Sequence, residues 1–278
     1  MKKPPKPRFE NSRITAIKHV FGTSIVAFLK ACYPILIFYA IKLFVGLILD
    51  LFPFTLWDTV KESIGSLLGL FYLIPVLRRD ILMHAQVTFY KPRGKEEKKH
   101  YLFCWIYAAI TITMIAIAVN NILGYTPLDE MTDGYEAVKD AFLAGPLVIQ
   151  LICLGFIIPY AEEILFRGII YGRAKEAFGP QKGIIISALL FGIVHWNLVQ
   201  FIYATIVGLV LAYFVEKYRS LIPAYLGHAA TNIIVVLHTA AVLYFGEKPL
   251  ADLIFTIIAL AAAGTMFGIQ FKNKRLKV

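Results

Sequence analysis

Residues 101–123, YLFCWIYAAITITMIAIAVNNIL, contain no charged side chain. A helix of about 20 apolar residues crosses the roughly 30 Å hydrocarbon core of a bilayer, so a run like this points to a membrane span. Comparable runs lie near 32–52, 62–77, 142–165, 183–198, 199–215, 221–244 and 250–270. Lipid offers backbone groups no hydrogen-bond partners, so segments of this length are expected to be helices. Composition agrees, because 59% hydrophobic against 17% charged residues, at a mean hydropathy of +0.69, is unlike a soluble domain. The expectation is an all-α polytopic transmembrane helical bundle of about eight spans, one membrane domain over residues 1–278.

The basic residues set an expected orientation, since Lys and Arg beside short spans stay cytoplasmic. Lys2, Lys3, Lys6, Arg8, Arg13 and Lys18 occupy the first twenty residues, a basic arm broken by prolines, with no apolar core leading to a small-residue cleavage site. A removable signal peptide is therefore not expected. Further basic clusters follow alternate spans: Arg78, Arg79, Lys91, Arg93, Lys95, Lys98 and Lys99; then Arg167, Arg173, Lys175 and Lys182; then Lys217 and Arg219; then Lys272, Lys274, Arg275 and Lys277. The connection after the third span is acidic, with Asp129, Glu130, Asp133, Glu136 and Asp140. An even number of spans with both termini cytoplasmic satisfies this alternation. The +10 net charge is then a matter of orientation and anionic lipid headgroups, and no nucleic-acid partner is expected. Cys32, Cys104 and Cys153 lie in or beside apolar runs without metal-ligand spacing and read as packing residues. The segment from Arg78 to His100 reads as a cytoplasmic loop with room for an interfacial helix, and His84 and His100 read as loop residues.

A charge inside a span costs about 2.5 kcal/mol or more, so each one calls for a partner or a function. Glu162 and Glu163 sit together in FIIPYAEEILFRGIIYGR. Glu163 and Arg167 stand at i, i+4, on one helix face, and can neutralise each other. Glu162 is left over, and a carboxylate in that position suits a general base that must take and return a proton. His195 lies on the fifth span, and His228 and Asn232 lie at i, i+4 on the seventh, where both can face one point inside the bundle. Counted from the cytoplasmic span ends, three helices bring Glu, His, His and Asn to a similar depth. Lys42, inside the first span, has no evident partner in the sequence.

These residues form three motifs: Glu162, Glu163 and Arg167 as EExxxR, Phe191 and His195 as FxxxH, and His228 and Asn232 as HxxxN. In this order, and on separate spans, they resemble the CAAX prenyl protease and bacteriocin-processing (ABI) family of intramembrane proteases, type II CAAX endopeptidases included. The resemblance covers a motif-bearing core of roughly residues 140–235. It implies hydrolysis of the peptide bond after a prenylated cysteine, releasing a C-terminal tripeptide. Glu162 with His195 would activate water, His228 and Asn232 would form an oxyanion hole, and Glu163 and Arg167 would orient them. The implied partners are a prenylated or lipid-anchored CAAX-type substrate and membrane lipids, and no cofactor is required.

Other chemistries remain open on the residues alone. Two histidines and a carboxylate are zinc ligands in many hydrolases, although the chain has no HExxH and Asn232 is a poor ligand. Ser187 has no GxSxG setting. Intramembrane Glu and His also build proton relays in transporters, where paired broken helices in matching halves are the accompanying sign, and none is evident. A catalytically silent membrane scaffold is the remaining class.

Overall fold

A computed structural model describes residues 8–53, 56–83, 89–128, 140–141, 143–240 and 249–272, with side chains from 24 onward in the first helix and over 253–269 in the last. Lys2, Lys3 and Lys6, His84, the acidic positions Asp129, Glu130, Asp133 and Glu136, and the closing Lys274, Arg275 and Lys277 lie outside the described residues. Among the described residues there are eight helices and no strand: α1 (Arg8–Leu49), α2 (Asp58–Met83), α3 (Lys95–Gly124), α4 (Leu147–Phe178), α5 (Pro180–Ile193), α6 (Leu198–Tyr218), α7 (Ile222–Thr239) and α8 (Pro249–Lys272). They match the eight apolar runs one for one.

The match does not make eight full crossings. Five helices are long and apolar enough to span a membrane: 24–49 of α1, then α2, α3, α4 and α6. The 14 residues of α5 reach about 21 Å at about 1.5 Å per residue, short of the hydrocarbon thickness. The 18 residues of α7 carry His228, Asn232 and His238, which dilute its hydropathy, and the apolar part described in α8 runs only from Leu253 to Ile269. The expectation of eight spans was therefore generous. The loop read from Arg78 to His100 also shrinks, because α2 runs on to Met83 and α3 starts at Lys95, which makes His100 helical.

Helix α4 is the centre of the bundle. Half of its most apolar stretch is buried, against 17% for α1, and it packs on α1, α2, α5, α6 and α7. One core cluster joins Phe38 of α1, Leu70 and Leu73 of α2, Ala161, Ile164, Leu165 and Phe166 of α4 and Phe191 of α5. A second joins Ala108, Ile112 and Ala116 of α3 to Tyr171 of α4, Leu211 and Phe214 of α6 and Ala224 of α7. Ion pairs tie the periphery to α4: Arg173 donates to Asp80 of α2 at 2.6 Å and to the Lys30 carbonyl of α1 at 2.7 Å, and Lys175 meets Glu216 of α6 at 2.6 Å. The turn from α4 into α5 runs through Gly179 at φ 85, a left-handed conformation that glycine adopts without strain, and Pro180 opens the next helix.

Candidate active site

The path of α4 around the glutamates is irregular. Two π-helical segments, Cys153–Ile157 and Ile164–Ile170, flank the α-helical turn Ile158–Glu163. A π turn inserts a residue into the helical register and frees a carbonyl from its usual partner, and such bulges concentrate at functional sites. Here the Leu154 carbonyl accepts a 2.9 Å hydrogen bond from Asn232 Nδ2 of α7. Helix α7 is thereby pinned to the first bulge one turn beyond His228.

The two glutamates have different surroundings. Glu163 is 1% exposed, and its Oε1 accepts from both Arg167 Nη1 at 3.2 Å and His228 Nδ1 at 2.9 Å. Arg167 is fully buried, lies over the Phe191 ring at 4.2 Å, and sends Nη2 toward the Gly208 carbonyl of α6 at 3.5 Å. Glu163 thus balances a cation that links three helices, and the i, i+4 pair read from the sequence is present with His228 added to it. Glu162 is 8% exposed and has no hydrogen-bond partner among the described residues, where its one ion-pair partner is His228, with Nε2 at 3.8 Å. It also lies within electrostatic range of His195, Arg167 and Tyr39.

His195 is delivered by the early end of α5. After Ile193 the chain turns through Trp196, at φ 59, and Asn197 caps α6 by accepting from the Gln200 amide at 2.8 Å. A bulky residue in the left-handed region is uncommon and strained, and this one directly follows His195. The His195 Nδ1–H donates to the Phe191 carbonyl at 2.7 Å, and because that partner can only accept, a neutral ring carries its lone pair on Nε2. His228 has the corresponding geometry: Nδ1–H donates to the Glu163 carboxylate and leaves Nε2 toward Glu162. His228 can therefore donate from Nε2 only as an imidazolium, with Glu163 and Glu162 as the carboxylates that balance it.

Phe191 organises the cluster. Its ring makes edge contacts with His195 at 5.0 Å, His228 at 5.7 Å and Phe166 at 5.1 Å, besides carrying Arg167 on its face. Glu162, Glu163, Arg167, His195 and His228 thus converge around one buried ring, and Asn232 lies a turn away on α7. Ser187 is used structurally, its hydroxyl donating to the Phe166 carbonyl at 2.8 Å. Among the described residues no three His, Cys, Asp or Glu side chains gather as a metal-binding group. Nδ1 of both histidines and one oxygen of Glu163 are engaged, which leaves the two Nε2 atoms and Glu162 without a hydrogen-bond partner among the described residues.

The sequence left out what α1 and α2 contribute. Lys42 forms an ion pair with Glu62 of α2 and lies over the Tyr39 ring at 4.9 Å. Tyr39 packs on the core cluster that contains Ala161 and Phe191. The signal available beforehand was an unexplained cation in an apolar run, three residues after a tyrosine.

Comparison with known proteins falls on the same stretch. Residues 144–234 match the family described as "Type II CAAX prenyl endopeptidase Rce1-like", and all seven motif residues lie inside that match. The chain is 25% identical over 146 residues to "Putative membrane peptidase YdiL" of Bacillus subtilis (strain 168), and 30% identical over 92 residues to "UPF0177 protein YxdF" of Lactococcus lactis subsp. lactis (strain IL1403). These alignments cover 52% and 32% of this chain, and 59% and 49% of the two relatives' own lengths. No solved structure matches. The Glu–His–His–Asn cluster is therefore built by the one part of the sequence, residues 144–234, that matches the Rce1-like family of type II CAAX prenyl endopeptidases.

Proposed function

We propose that this chain is an intramembrane endopeptidase that hydrolyses the peptide bond after a prenylated cysteine, with both termini cytoplasmic and residues 140–235 as its catalytic core. The observation that carries the reading is the division of labour between adjacent carboxylates. Glu163 is committed to Arg167 and His228, whereas Glu162, beside it, makes no hydrogen bond and keeps some exposed surface. A general base needs that freedom, because its lone pair must reach a water.

In the proposed reaction Glu162 takes a proton from water while Nε2 of His195 accepts the other O–H and aims the oxygen. The hydroxide attacks the scissile carbonyl. His228 as imidazolium and the second amide N–H of Asn232 donate to the developing oxyanion, with Glu163 stabilising the His228 charge and Arg167 holding Glu163. Collapse of the intermediate breaks the C–N bond, and the proton on Glu162 passes to the leaving amine. The products are a new carboxylate on the prenylated cysteine and a free tripeptide.

The test is cleavage of a farnesylated CAAX peptide by the purified protein after exhaustive chelation. Release of the tripeptide at an unchanged rate is expected. Loss of turnover on chelation, restored by zinc alone, would replace the glutamate mechanism with a metal-dependent one. Equal turnover of prenylated and unprenylated peptides would remove the CAAX assignment.

A further inference from the structure

Lys42 stands two turns before the C-terminal end of α1, with its side chain only 8% exposed. Among the described residues its one charged or hydrogen-bonding partner is Glu62; its ammonium lies over the rings of Tyr39 and Phe38 at 4.9 and 5.6 Å, and its stem packs at Gly65 of α2. An ammonium has three N–H donors, and one carboxylate does not use them all. A partly desolvated cation is costly in a bilayer, and a structural role alone would be met more cheaply by an apolar residue. The surroundings give it a purpose. Phe38 and Tyr39 belong to the same core cluster as Ala161 and Phe191, and α1 packs on the α4 stretch 164–178 that directly follows the glutamates. Tyr39 lies within electrostatic range of both Glu62 and Glu162, and Lys42 lies within range of His195.

A peptide cut a few residues from its C-terminus brings a carboxylate into this site. That charge must be matched there, because lipid cannot solvate it. Arg167 is unsuited to the task, being fully buried and engaged with Glu163.

We propose that Lys42, held by Glu62 and seated over Tyr39, is a subsite that binds the free C-terminal carboxylate of the peptide whose scissile bond lies at Glu162. This rests on the peptidase reading above. Lys42 thereby fixes how far from the terminus the chain is cut, as an anchor at one end of a short peptide sets which bond reaches the base. Glu62 keeps the ammonium in place when the site is empty and shares it when the substrate arrives.

The experiment compares one farnesylated CAAX peptide ending in a free carboxylate with the same peptide ending in an amide. Two readouts are used: kcat/KM with the wild-type protein, and Kd with Glu162→Gln, which holds substrate without cutting it. A hydrogen bond to a charged group is worth about 1.5–3 kcal/mol, so an acid-over-amide preference of about 10- to 100-fold is expected in both. Lys42→Met should bring the ratio close to one, and Lys42→Arg should keep most of it. Glu62→Gln should raise the ratio, since the substrate carboxylate becomes the sole counter-ion. A merely structural ion pair predicts instead that losing either partner lowers both peptides alike. An unchanged ratio in Lys42→Met overturns the proposal. If that variant does not fold, a ratio that fails to rise in Glu62→Gln overturns it. Turnover without acid preference removes the subsite and leaves the peptidase, whereas acid-selective binding without any turnover removes the peptidase and leaves the subsite.

Discussion

Replacing each glutamate of the pair with glutamine separates chemistry from architecture. Glu162→Gln changes one oxygen to an amide at a side chain that makes no hydrogen bond among the described residues and lies 3.8 Å from His228 Nε2. Little native interaction is lost, so the melting temperature in detergent should stay near wild type. Glutamine cannot take a proton, and general-base assistance alone is worth about 10²- to 10⁴-fold in rate, so turnover should fall at least that far. Glu163→Gln reverses the pattern. Its Oε1 receives two donors, from Arg167 at 3.2 Å and His228 at 2.9 Å, with the guanidinium wholly out of solvent. An amide oxygen can still accept, but the negative charge is gone and the new NH₂ joins a site already crowded with donors. Breaking a buried ion pair on one side costs about 3–5 kcal/mol, so a marked loss of thermal stability should accompany any loss of activity. The assay is turnover of the farnesylated peptide beside the melting temperature for both variants, with His195→Ala as a companion. Near-normal turnover in Glu162→Gln, or an unchanged melting temperature in Glu163→Gln, would refute the assignment of roles.

Asn232→Ala should lower stability by about 0.5–1.5 kcal/mol through the lost bond to the Leu154 carbonyl, and turnover by about 10²- to 10³-fold if the amide also holds the oxyanion; unaffected turnover would remove it from the oxyanion hole. At Gly208 a Cβ would stand 3.2 Å from Arg167 Nη2 and from the Ala188 Cα, so Gly208→Ala should cost about 1–3 kcal/mol, and a melting temperature equal to wild type would show that the α4–α6 contact is looser than described. Cysteine labelling on a background lacking the native thiols should find Lys95 and Lys182 accessible from the cytoplasm and Trp57 and Trp196 from the opposite side; a reversed result at any one of them would overturn the proposed orientation.

The helices were legible because hydrophobic length is a local property. So were the motif residues, since Glu163 with Arg167 and His228 with Asn232 lie within one helical turn, and a polar group in an apolar run stands out wherever it falls. What lay between helices was not legible. Glu62 is the partner of Lys42 only because α1 and α2 pack side by side, and nothing in either run declares that register. The sharing of Glu163 between Arg167 and His228 spans 65 residues and exists only because α4 and α7 pack together. The π segments of α4 also escaped, because a one-residue change of register leaves an all-apolar pattern looking the same. The end of α5 was half visible. Asn197 before an apolar run is an N-cap signal, and the fifth and sixth runs were divided at 198–199, yet the apolar count alone carried the fifth run across the whole bilayer.

A helix that stops early changes the lipid beside it. Against a hydrocarbon layer of about 30 Å, the 21 Å or so of α5 leaves a deficit of about 9 Å on the flank where Trp196 projects, 89% exposed. The turn over 194–197 carries the polar side chains of His195 and Asn197, which lipid tails cannot solvate, so thinning of the bilayer there would let water reach His195. The proposed hydrolysis consumes one water per cut, and a dimple on this side would be a path by which it arrives. The surrounding lipid then acts on the rate: thin bilayers should speed turnover and thick, sterol-stiffened ones should slow it, with no change in any residue that touches the substrate.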